Sequence, residues 1–106
     1  MNKISIDSMV NGWFIGDFEP SVFKTSKFEV AVKIHEKDEY VQKHYHKIAT
    51  EYTIIIEGVA LMNGIEYHKG DIIEVKPLMI SDFRAITEVK SVVVKIPSCI
   101  NDKYLV

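Results

Sequence analysis

Only one cysteine, Cys99, occurs in this 106-residue chain, so no internal disulfide can form. A reducing cytoplasm is the simplest compartment for it, and a lone thiol near the C-terminus is expected to be inert. Positive charge is not in excess either. Thirteen Lys and Arg stand against fifteen Asp and Glu, a net charge of −2, which removes the broad basic face of a nucleic-acid binder. No apolar run approaches the roughly 20 residues that span a bilayer. The opening Met1-Asn2-Lys3-Ile4-Ser5-Ile6-Asp7 lacks a basic stretch followed by an apolar one, so no secretory leader is expected. Repeats, low-complexity tracts, linkers and convincing helical periodicity are absent as well. Neither nucleic acid nor membrane is therefore an expected partner.

Apolar residues make up 47% of the sequence, enough for residues 1–106 to build one core as a single domain. Val and Ile recur in short runs broken by Gly, Asn, Asp or Pro, the punctuation of sandwiches and barrels. Gly12-Trp13-Phe14-Ile15-Gly16 reads as a short strand, its aromatics as packing residues. Phe28, Val30, Val32 and Ile34 alternate with Glu29, Ala31, Lys33 and His35, a period-two strand with one face buried. Further strands are predicted from Tyr40 to His46 and from Glu51 to Ile56. Val59–Met62 and Ile65–Tyr67 flank Asn63-Gly64, a strong hairpin signal. Ile72–Val75, Phe83–Ile86 and Ser91–Ile96 complete the set, and Asn101–Tyr104 reads as a C-terminal turn. Eight or more short strands in so small a domain imply an all-β barrel or two-sheet jelly roll.

The chemistry concentrates in Lys43-His44-Tyr45-His46-Lys47-Ile48-Ala49-Thr50-Glu51. Residues i and i+2 of a strand share a face, so His44 and His46 project side by side. Glu51 opens the next strand and faces the same pocket if the two strands pair. Two imidazoles and a carboxylate form a facial triad suited to one divalent transition metal with open positions. The same parity places Tyr40 and Gln42 near a substrate on the first strand, with Thr53 and Ile55 on that face of the second. His35 and His68 sit in polar turns and are expected to be exposed.

The spacing His44-x-His46-x4-Glu51-x6-Gly58 resembles the first motif of the cupin superfamily. Gly70 and Pro77 match part of the second motif, whose histidine position is occupied by Asp82. The resemblance spans about residues 28 to 96. It implies a double-stranded β-helix, or jelly-roll barrel, holding iron, manganese, zinc or nickel. His44, His46 and Glu51 would be ligands, with Asp82 as the fourth; Arg84, two residues after Asp82, reads from its own position as a pocket cation for a substrate carboxylate or phosphate. The resemblance also implies a homodimer. Three functions remain open: a metal-dependent oxygenase or isomerase, a metal-free sugar-nucleotide isomerase or epimerase, and a small-molecule binding protein without turnover.

Overall fold

A computed structural model describes all 106 residues. One turn of 3-10 helix at Ile6–Ser8 precedes eleven strands: β1 (Trp13–Gly16), β2 (Phe23–Lys24), β3 (Glu29–His35), β4 (Tyr40–Tyr45), β5 (Thr50–Glu57), β6 (Ala60–Met62), β7 (Ile65–Tyr67), β8 (Ile72–Val75), β9 (Ser81–Ala85), β10 (Val89–Ile96) and β11 (Tyr104–Leu105). Six of them form one sheet in the order β2-β1-β3-β10-β5-β8, and five form a second in the order β11-β4-β9-β6-β7. The pairs are antiparallel apart from β1 with β2. Strands adjacent in sequence alternate between the sheets at β3, β4 and β5, the winding of a jelly roll. No helix is long and apolar enough to cross a membrane.

The strand signals in the sequence find their places, with two additions. Phe23–Lys24 forms a short strand on the sheet edge, and the C-terminal turn continues into β11 against β4. Asn63 and Gly64 both take positive φ, 49° and 77°, and join β6 to β7 as the hairpin chemistry requires. Gly58 ends β5 at φ +92°, where an added Cβ would lie 2.0 Å from the carbonyl oxygen of Glu88. Only glycine fits there.

The interior is divided along its length. Ile55, Met62, Ile73, Val75, Phe83 and Val89 pack together as the apolar core, with Ala60 and Ala85 among them. Toward one end the inward positions turn polar. On β5 they run Ile55, Thr53, Glu51, and on β10 Val89, Ser91, Val93, Lys95. The register pairs Ile55 with Ser91, Thr53 with Val93 and Glu51 with Lys95, which keeps the polar ends together. In β3 the face turned inward is that of Ala31, Lys33 and His35, while Val32 and Ile34 stand outside, 38% and 60% exposed. Period two shows which residues share a face. It does not show which face is inside.

Candidate functional site: a polar cavity at the open end of the barrel

The polar end encloses a cavity of about 290 Å³ whose walls include His44, His46, Glu51 and Thr53. These come from β4, the loop after it, and β5, so the sequence motif does converge on one space. The His44 ring centroid is 5.3 Å from that of His46, at 67°. His44 Nδ1 lies 2.8 Å from the carbonyl oxygen of Gln42. A carbonyl only accepts, so Nδ1 carries a proton and donates. His46 is 3% exposed, and its Nε2 is buried with no hydrogen-bond partner. Burial first, then the nearby Lys95 and His44, lower its pKa from 6.5 to about 4. His46 is thus neutral at pH 7.

The loop that carries His46 is fixed from the far end of the chain. Asp102 is buried, and its carboxylate accepts hydrogen bonds from the backbone N–H groups of Lys47, Ile48 and Ala49 at 2.8–3.2 Å. Burial alone would raise that carboxyl. The N–H groups of Ala49, Lys47 and Ile48 outweigh it, and the pKa lies below the usual carboxylate range.

Several expected site residues lie elsewhere. β4 pairs with β9 through Tyr40–Arg84, Val41–Phe83 and His44–Ser81, with an irregularity between Val41 and His44. That bulge inserts a residue and reverses the phase of the strand. Val41 therefore packs against the core, while Tyr40 and Gln42 are exposed and do not line the cavity. Arg84 is also exposed, its guanidinium 4.8 Å from the Tyr40 ring. On β9 the buried residues are Ser81, Phe83 and Ala85. Asp82 borders the cavity, but its carboxylate is engaged elsewhere. Oδ1 accepts from the Asn63 N–H at 2.7 Å and Oδ2 from the Tyr40 hydroxyl at 3.2 Å. The residue facing His44 across the strands is Ser81.

The side chains as placed do not gather the expected ligands around one point. No three His, Cys, Asp or Glu are grouped so as to hold an ion. Ser81 stands opposite His44, and three lysines, Lys33, Lys95 and Lys103, line the cavity with the two histidines. Those lysines, with Ser91, His35 and Trp13, are among the lining residues that sequence reasoning missed. His35 is no exposed turn residue. Its ring lies 4.6 Å from that of Phe83, and Nδ1 pairs with Glu39. The period-two pattern of β3 already grouped Lys33 with His35, and that of β10 grouped Ser91 with Lys95. What was missing was the knowledge that these faces point inward.

No family model matches the chain, and no curated protein matches its sequence. Solved structures match its fold. An uncharacterized conserved protein with a double-stranded β-helix domain, from Klebsiella pneumoniae, superposes with a TM-score of 0.71 at 22% identity, over 97% of this chain and 89% of its own. The DMSP lyase DddQ from Ruegeria pomeroyi gives a TM-score of 0.72 at 19% identity, over 97% of this chain and 55% of the lyase. An oxalate decarboxylase variant from Bacillus subtilis gives 0.66 at 14% identity, over 77% of this chain and 25% of the decarboxylase. The chain thus spans about half of the lyase and a quarter of the decarboxylase. At these identities the likeness is one of architecture: the chain has the double-stranded β-helix fold of cupin domains.

Proposed function

We propose that this cupin-fold chain binds a small molecule in the cavity bounded by His44, His46, Glu51 and Thr53, and that this cavity is its working site. The observation that carries the reading is the buried, unpartnered Nε2 of His46. An orphaned polar atom costs on the order of 1–3 kcal/mol, and a group from outside the chain relieves it. The two imidazoles side by side also form a pair able to hold and pass a proton, as isomerisation chemistry needs. A screen of small acids, sugars and sugar nucleotides by amide chemical-shift mapping tests the reading. A bound compound is expected to move the amides of His44, His46, Thr53 and Ser91 and to lose its effect in His46→Ala. Compounds that bind only elsewhere, or bind His46→Ala equally well, would refute it.

A second reading has its own support. The paired rings of His44 and His46, 5.3 Å apart, offer two nitrogen donors to a divalent ion, and a movement of Glu51 toward them would supply a third. Such an ion would supply Lewis-acid or oxygen-activating chemistry. Elemental analysis of protein purified without chelator is the test. One equivalent of iron, manganese, zinc or nickel, lost in both His44→Ala and Glu51→Ala, supports this reading, and failure to retain any of the four after loading overturns it.

The outer face of the six-stranded sheet supports a homodimer. Val32 and Ile34 on β3, Ile56 on β5 and Ile72 on β8 are 38–67% exposed. Val92 and Ile54 lie half-buried between them, because β10 and β5 separate β3 from β8. An apolar stripe across neighbouring strands is a surface that a second copy covers well. Light scattering is expected to report twice the chain mass, and Ile54→Lys to return it to a monomer. A wild-type monomer at micromolar concentration would dismiss the dimer.

A further inference from the structure

The cavity holds more positive charge than a histidine site needs. Lys33, Lys95 and Lys103 all line it. None of them forms an ion pair: the lysines that do are Lys24, Lys76 and Lys90, all on the surface. Lys33 donates to the Asn11 carbonyl at 2.7 Å. Its Nζ and that of Lys95 stand 5.0 and 5.1 Å from the centroid of the same Trp13 ring, so one indole serves two like charges. Desolvation, and then Lys95, hold the Lys33 ammonium below its ordinary range. Two carboxylates border the space. Asp82 is turned toward Asn63 and Tyr40. Glu51 is the cross-strand neighbour of Lys95 but makes no ion pair with it. Glu51 and Glu39 attract the Lys33 ammonium, but burial and Lys95 outweigh them; ammonium groups so gathered repel one another, and an anion among them relieves the repulsion.

The rest of the cavity limits what that anion is. Below the lysines the wall is apolar, with Val41, Met62, Phe83 and Val93. Thr53, Ser81 and Ser91 are buried between the two zones and offer hydroxyl groups. A volume near 290 Å³ is at the small end for ligand pockets. We propose that the cavity receives a compact organic anion, its carboxylate or phosphate seated among Lys33, Lys95 and Lys103 and its short apolar body against Met62 and Phe83. This rests on the reading of the cavity as a small-molecule site and names the ligand class.

Trp13 is the only tryptophan and lines the cavity, so its fluorescence is a built-in reporter. The full chain, before and after chelator treatment, is titrated with pentanoate, propyl phosphate and neutral pentanamide. At least one anion is expected to change the emission saturably, and pentanamide to bind at least tenfold more weakly. The stronger of pentanoate and propyl phosphate identifies the headgroup. Anion affinity is expected to fall as salt rises. Lys95→Gln and Lys103→Gln are each expected to weaken the anion about tenfold, while Lys24→Gln on the outer surface leaves it unchanged. Lys103 is exposed, so its replacement keeps the test valid if Lys95→Gln disturbs β10. Equal binding of pentanamide, with no effect of either cavity lysine, overturns the anion proposal and leaves the small-molecule reading standing. Mapped binding of neutral compounds alone does the same. An absence of any compound in the cavity overturns both.

Discussion

Asp102→Ala is expected to cost about 3–5 kcal/mol of folding stability, a large part of what a domain of this size has to lose. The carboxylate is the sole hydrogen-bond partner of three consecutive N–H groups, those of Lys47, Ile48 and Ala49, and Ala49 is 1% exposed. Removing it strands the buried Ala49 donor at roughly 1–3 kcal/mol, and costs the exposed Lys47 and Ile48 their charge-assisted bonds. Asp102→Asn keeps one acceptor oxygen and sets an NH2 group against a backbone N–H, so about half of the loss is expected to remain. Urea unfolding at pH 7 measures both. A loss below 1 kcal/mol for the alanine variant would mean that the loop stands without its anchor. Because the Asp102 carboxyl is depressed in the folded state, its contribution is complete above the usual carboxylate pKa and disappears as pH falls through the depressed value.

Mild acid is expected to weaken the fold earlier, through His46. Its pKa is lowered from 6.5 to about 4, by burial first and by Lys95 and His44 next. Below pH 6.5 the unfolded chain takes up a proton that the folded chain refuses, so acidification favours unfolding. Stability present above the unfolded value is lost at up to about 1.4 kcal/mol per pH unit toward the folded one, roughly 3 kcal/mol in all. His46→Asn removes the titrating ring and is expected to flatten the curve of unfolding free energy between pH 6.5 and 4.5. This window lies above the one governed by Asp102, so the two contributions separate in one pH series. Parallel curves for wild type and variant would show that His46 titrates alike folded and unfolded.

The legible part of the site was its local part. His44 and His46 share a face because two residues along a strand do so, and Gly58 closes the motif because its φ of +92° and the Glu88 carbonyl leave no room for a side chain. The barrel was legible for a similar reason: turn residues punctuate the strands at short intervals, and Asn63-Gly64 has only one good use. Tyr40 and Gln42 went to the wrong face because a bulge leaves no mark in residue types. Counting along the motif set Asp82 toward the ligands, and the β4–β9 register sets Ser81 there instead. The lysines were visible as residues but not as neighbours. Lys33, Lys95 and Lys103 meet through pairings between segments some sixty positions apart, and β3 presents its apolar side outward.

The anchoring carboxylate ties the opening of two segments into one event. Asp102 precedes β11, and β11 is paired along β4 through Tyr104–Tyr45 and Leu105–His44. Fraying of the tail withdraws the acceptor from Lys47, Ile48 and Ala49 and uncovers the strand that bears His44. These amides and those of β11 therefore belong to a single unit of local unfolding, one that would exchange its hydrogens together. Hydrogen exchange is expected to show the end of the barrel that bears His44 opening as a block, ahead of the apolar core.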